Sequence, residues 1–185
     1  GLRTSAAFAG RLWVSGAASD ITGSDSESPN LGAYVFFSQI VDNSDSLGKF
    51  YQNGDPTSED NFDPLDTDGG VIRIPDASNI RKLVSVGRGL IVFAENGVWE
   101  ISGGETNFTA TNVEVNKITT VGAVSPESIV NVEGTVFYWA EAGIYQLSPD
   151  QISGRMAATN ITESTIQSLY NDIPNINKSF VTATF

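Results

Sequence analysis

The residues in this chain with the capacity for chemistry are carboxylates, and they are concentrated. Asp42, Asp45, Asp55, Glu59, Asp60, Asp63, Asp66 and Asp68 stand among Pro56, Pro64 and several glycines. Clustered carboxylates on glycine-rich loops are hard oxygen ligands of the kind calcium takes. The EF-hand spacing fails, because Ala77 stands where a loop opening at Asp66 needs its terminal glutamate. A loop opening at Asp42 lacks the glycine of the sixth position. A solvated acidic loop is the preferred reading. Paired carboxylates also run glycoside hydrolysis, and Glu95 and Glu141 sit at equivalent places just before two turns. They recur because a unit repeats, and the Ser-x-Asp-x-Gly-x-Thr-Trp boxes of sialidase-type propellers are absent. Cysteine and histidine are absent too, which removes disulfides, thiol nucleophiles, Cys/His zinc sites and Ser-His-Asp machinery. We therefore assign no catalytic, cofactor-binding or metal-ligating residue and expect no cofactor. Gly97 and Gly143 read as turn glycines, since no phosphate-cradling pattern leads from a strand into a helix. Asn107, Asn160 and Asn177 open glycosylation tripeptides, a pattern too common to carry weight without a secretory route.

The elements that carry Glu95 and Glu141 repeat each other without a gap. Residues 83–102 (LVSVGRGLIVFAENGVWEIS) align with 129–148 (IVNVEGTVFYWAEAGIYQLS), so that Gly97 matches Gly143 at an offset of 46 residues. That offset lies within the roughly 40–50 residues of one propeller blade. Each copy predicts two strands around a tight turn, 90–93 with 98–101 and 136–139 with 144–147. Asn96-Gly97 predicts a type I′ turn, in which glycine tolerates positive φ. A unit this small cannot bury its own apolar face, so stacked copies must share cores.

A weaker third copy lies at residues 8–16 (FAGRLWVSG), where the Gly-Arg-Leu run parallels residues 87–92, and its partner strand is 33–38. Between them, 17–31 is a long polar loop. The acidic stretch 40–70 should run over the surface, pinned by Phe50, Tyr51, Phe62 and Leu65. Residues 71–74 predict a short strand, 79–86 lead into the first full repeat, and 108–121 supply further strands. Residues 162–172 predict one short helix capped by Thr162 or Ser164, with Ile166, Leu169 and Tyr170 on one face and Pro174 as its stop. The last residues, 180–185, read as a further strand. Trp13, Phe36, Phe37, Phe93, Trp99, Phe137, Trp139 and Tyr145 fall on predicted strands and read as core. The expected fold class is thus all-β, about two to three propeller-like blades with one short helix near the C-terminus. Blades occupy 1–161, with the acidic insertion at 40–70, and 162–185 hold the helix and the start of a strand. An excerpt of a longer polypeptide is the expectation.

Net charge is −12, from 10 basic and 22 acidic residues. Tight nucleic-acid binding needs a basic surface that displaces counterions from phosphates. This chain lacks that balance, whereas acidic walls would suit a conduit that must not hold a polyanion. Every apolar run is short, so no transmembrane helix is expected, and no signal peptide is visible.

Taken together, FAGRLWVSG, the YVFFSQ strand, the Asp-Pro-containing stretch with Asn61-Phe62, and GRGLIVFAENGVWEISGG resemble a known group. They are similar to the tail nozzle or tail tubular protein B family of short-tailed bacteriophages and to related phage tail propellers. Residues 10–14, 35–38, 55–62 and 90–99 occupy the family's Gly-Arg-Leu-aromatic strand, aromatic strand, acidic loop and Glu-Asn-Gly-Val-Trp hairpin. Gly122-Ala123-Val124-Ser125-Pro126 resembles its Gly-x-x-Ser-Pro segment. The resemblance spans about Phe8 to Ser148, and the long 17–31 loop departs from it. It implies a structural virion protein: a ring of copies, typically a homo-hexamer, meeting tail adaptor and tail fibre proteins around a channel for DNA exit. It implies no catalytic residue. The alternative is a propeller binding module that grips a host-surface glycan or partner protein through its loops.

Overall fold

The computed structural model of the protein describes residues 2–17, 31–52, 64–151 and 153–185. The expected 17–31 loop and the carboxylates Asp55, Glu59, Asp60 and Asp63 lie almost wholly outside them, as does Phe62. The described chain is mostly β, in three antiparallel four-stranded sheets. The first holds β1 (Thr4–Phe8), β2 (Arg11–Ser15), β3 (Tyr34–Phe37) and β4 (Gly70–Arg73). In the second are β5 (Ile80–Val86), β6 (Gly89–Ala94), β7 (Gly97–Ser102) and β8 (Glu114–Thr119). The third comprises β9 (Val130–Val132), β10 (Thr135–Trp139), β11 (Ile144–Pro149) and β12 (Met156–Asn160). Each sheet is a meander in which every strand pairs with its neighbour in sequence.

The repeat, gapless in sequence, is also kept in register. Val92 pairs with Trp99 and Leu90 with Ile101 in the second sheet; 46 residues on, Tyr138 pairs with Tyr145 and Val136 with Leu147. Alternation along a strand sends successive side chains to opposite faces. The even-numbered Leu90 and Val92, with Trp99 and Ile101 opposite them, therefore share one face, here the rear. Ile91, Phe93 and Val98 share the other, the forward face. The rear face of the second sheet packs on Phe8, Trp13, Val35 and Phe37 of the first, with Phe108 closing the cluster. Its forward face packs on Val136, Tyr138, Ala140 and Leu147 of the third. Those third-sheet residues are the rear-face equivalents of Leu90, Val92, Ala94 and Ile101. The same forward-on-rear contact is thus made twice.

Aromatic geometry fixes both contacts. Trp13 lies 5.0 Å from Phe37 and 4.8 Å from Phe108, centroid to centroid, and its indole N–H donates to the Phe8 carbonyl at 2.9 Å. In the second core Phe93 meets Tyr138 edge-on at 5.2 Å, and the buried Tyr138 hydroxyl donates to the Val121 carbonyl at 3.0 Å. These are geometries in which an aromatic pair gains beyond its area. Two basic side chains of β5 reinforce the second contact: Arg81 donates to the Val124 carbonyl at 2.8 Å, and Lys82 to those of Pro126 and Ile129 at 3.0 and 2.8 Å.

Several expectations need correction. Gly97 is not among the residues with positive φ, so the Asn96-Gly97 turn is not type I′. Ala94 pairs with Gly97, leaving Glu95 and Asn96 as the central residues. Positive φ at both central positions occurs instead at Ala9-Gly10 (50° and 69°) and Glu133-Gly134 (50° and 89°), the type I′ signature. Gly97 is required by close approach: a Cβ there would lie 2.7 Å from the Thr119 carbonyl oxygen and 2.9 Å from the Trp99 ring. The predicted C-terminal helix is two short ones, α1 (Gln167–Asn171) and α2 (Asn175–Lys178). Pro174 ends the first and opens the second, as its missing N–H and fixed φ allow. Of the predicted apolar face only Tyr170 is buried, while Ile166 and Leu169 are exposed. Residues 180–185 form no strand. They alternate suitably but make a single sheet-like bond, from the Ala183 N–H to the Glu127 carbonyl at 2.9 Å, and Phe180 and Phe185 are 77% and 83% exposed.

Candidate functional site

The acidic loop already has a cation, and it is a side chain of this chain. Arg11 opens β2 beside the Ala9-Gly10 turn and is 3% exposed. Its guanidinium donates to the Ser38 carbonyl at 2.7 Å, the Thr67 carbonyl at 3.4 Å, and the carbonyls of Asp66 and Asp68. It also lies over the Phe37 and Phe108 rings, 5.4 and 5.8 Å from their centroids. Burial lowers its pKa, opposed by the charges of Asp68 and Asp66. A guanidinium starts so high that it stays charged throughout the working range. Asp66 in turn accepts from the Thr111 hydroxyl, and that bond, with one from Thr109, pulls its carboxyl below the usual range. Arg11 thus ties the end of the acidic stretch to the first sheet and to the link between β7 and β8.

The pins expected for that stretch are found only in part. Phe50 is half-buried, whereas Tyr51 and Leu65 are exposed, and the segment is held largely through its backbone. The Gln39 N–H donates to the Lys49 carbonyl at 2.8 Å, Gly69 to Tyr51 at 3.1 Å, and Ile40 to Thr67 at 3.2 Å. A Cβ on Gly69 would lie 2.4 Å from the Lys49 oxygen, so the strands of the loop pack too closely for any larger residue. Asp42 accepts from Asn43 and Ser46 side chains at 2.8 and 2.9 Å. Among the described residues no group of three or more His, Cys, Asp or Glu side chains is placed to hold a metal ion.

Among the described residues, two clefts with chemically mixed linings lie between the sheets. One, of about 790 Å³, lies between the β1–β2 and β5–β6 turns and is lined by Phe8, Leu12, Val41, Leu47, Arg88 and Phe108, among others. The other, of about 630 Å³, lies between β7–β8 and the turn before β12. It gathers Glu100, Glu105 and Glu114 with Arg88, Lys117 and Arg155. Burial raises the Glu100 carboxyl above its usual range, with Arg155 opposing. Like and unlike charges alternate there, which gives the cleft no single sign with which to draw in a charged ligand.

The two hairpin glutamates are placed apart in role. Glu95 pairs with Arg81 at 2.9 Å and accepts from Asn79 at 3.0 Å. Glu141 instead contributes its backbone: three successive carbonyls of the β10–β11 turn accept from the C-terminal segment, Ala140 from the Tyr170 hydroxyl, Glu141 from Lys178 Nζ at 2.8 Å, and Ala142 from Gln167 Nε2 at 2.8 Å. Lys178 also lies 4.5 Å above the Tyr170 ring, and burial raises the Tyr170 hydroxyl to about 12. Sequence reasoning missed this clamp, because its residues occupy two helices too short to show a periodic face. Asn160, one of the glycosylation tripeptides, uses its side-chain oxygen to accept from Thr162 at 2.7 Å. Of the eight strand aromatics, Trp13, Phe37, Phe93 and Trp99 are buried, while Phe36, Phe137, Trp139 and Tyr145 are half-buried. Among the described residues no helix is long and apolar enough to cross a membrane. Compared with known proteins, the chain matches no protein-family model and no curated sequence.

Proposed function

We propose that this chain is a β-propeller-type structural protein of a bacteriophage tail, of the nozzle kind, whose copies form a ring around a channel for DNA exit. The observation that carries the architectural reading is the forward-on-rear contact made twice. A sheet that always presents the same face to its successor describes a directional stack, the arrangement from which radial repeats are built. The tail assignment is supported by the residues that resemble the nozzle family: the Arg11–Trp13 strand, the aromatic β3, and the Glu95–Trp99 hairpin.

Its mechanism is architectural. Shared cores give rigidity without disulfides, and the Arg11 clamp holds the acidic segment against them. A net charge of −12 repels a polyanion, so DNA passes without being retained. Adaptor and fibre proteins of the tail are its neighbours in the virion. Electron microscopy of the purified protein, with classification by symmetry, tests the reading. A closed ring with an axial channel is expected; solitary particles at every concentration would overturn it.

A further inference from the structure

We infer that the rear face of the first sheet and the forward face of the third are the two halves of one more sheet-on-sheet contact, made with a second copy of this chain. The second sheet is covered on both faces. Among the described residues its neighbours are each packed on one face, and neither core includes the faces they turn away. Those outer faces are apolar at the positions the repeat predicts. On the third sheet Phe137, Trp139 and Ile144 stand where Ile91, Phe93 and Val98 stand in the second, and all three are half-buried where their counterparts are buried. Val130 pairs with Phe137 on the same face. On the first sheet the rear face carries the half-buried Leu12 and Phe36 and the buried Val14, with Val71 paired opposite Phe36 and 53% exposed. Phe36 stands opposite Val14 as Trp99 stands opposite Val92.

The occupant follows from what already covers each kind of face. Twice in this molecule a forward face is covered by a rear face of the same repeat. The half-covered forward face of the third sheet therefore matches the half-covered rear face of the first, and a second copy completes the contact. Tyr170, 5.1 Å from Trp139, covers the hairpin-tip end, and the half-buried Phe137 and Val130 are the positions assigned to the partner. Such a contact is head to tail, so it either closes or grows. Two copies bring six sheets together, within the roughly four to eight that close radially. That closure at two copies rests on the propeller reading; the contact itself does not, nor does it depend on the tail assignment.

Light scattering with sedimentation on the whole chain and two variants tests it. Val71→Lys blocks the rear face at an exposed position, and Phe137→Lys blocks the forward face. Circular dichroism and thermal unfolding check that each is folded, and Gln146→Arg, on the same forward face, replaces Phe137→Lys if that variant unfolds. The parent should run at twice the monomer mass and each variant alone as a monomer. An equal mixture of the two should return to twice the monomer mass, because one retains the forward face and the other the rear. Larger parent assemblies that vanish in both variants, with paired rescue on mixing, would support the contact and count against closure at two copies. A parent that stays monomeric at high micromolar concentration would overturn the inference, as would either folded variant associating like the parent.

Discussion

The β6–β7 and β10–β11 hairpins begin from nearly the same residues and end in different company. Ala94-Glu95-Asn96-Gly97 sits against backbone: a Cβ on Gly122 would lie 2.1 Å from the Glu95 carbonyl oxygen and 2.4 Å from that of Ala94. Ala140-Glu141-Ala142-Gly143 sits against side chains, those of Gln167, Tyr170 and Lys178. The first hairpin belongs to a sheet with both faces covered, the second to a sheet with one. A repeated sequence therefore specifies the strand pair, and its surroundings specify how firmly that pair is held.

The comparison is sharpest at Trp99 and Tyr145, equivalent in register and unequal in burial. Trp99→Ala should cost about 3–5 kcal/mol, the range for emptying a buried aromatic site. Tyr145→Ala should cost clearly less, because water already reaches it; equal losses in urea unfolding would break the distinction. Next come the glycines. Gly122→Ala forces a Cβ into fixed backbone and should destabilise by about 1–3 kcal/mol. Gly143→Ala first meets the Thr162 and Asn160 side chains, at 2.6 and 2.7 Å, rather than backbone, so thermal unfolding should register a smaller loss. Tyr170→Phe deletes one clamp bond and should cost about 1 kcal/mol. Hydrogen exchange should locate the effect at the β10–β11 tip, and a uniform change across all three sheets would refute the local clamp.

The smallest effect is at Glu100, whose counterpart 46 residues on is Gln146. Burial holds the folded Glu100 pKa above its unfolded value. The protonated form therefore favours folding, and that advantage is lost as pH rises through the raised folded value. Glu100→Gln, which makes the second sheet resemble the third, should be more stable than the parent at pH 7. The margin should shrink as pH falls below about 4, the unperturbed carboxylate range; an unchanged margin at both pH values would count against burial as the cause.

What the residues announced in advance follows the same division. The repeated hairpins were legible because apolar strands flank a glycine turn, and β3 and β4 for similar reasons. β12 was not, since Met156–Asn160 is small and polar and joins its sheet through backbone pairing to β11. The turn type at Asn96-Gly97 was misread because the dipeptide sits one place too far along, with Gly97 already in the strand. Arg11 was legible as part of a Gly-Arg-Leu run, but the parallel with Arg88 misled. Arg11 is the first residue past its turn, equivalent to Gly89, whereas Arg88 lies in the turn itself and is exposed. No local pattern shows that carbonyls of residues 66–68 will converge on it.

The meander order of the sheets has a consequence for how the molecule comes apart. Among the described residues neither core joins the first sheet to the third, so the terminal sheets are coupled through the middle one, in the manner of a one-dimensional array. Either end can open while the remaining two sheets keep their shared core. Loss of the middle sheet leaves two fragments with nothing in common, so the cooperativity of the whole domain resides in residues 80–119.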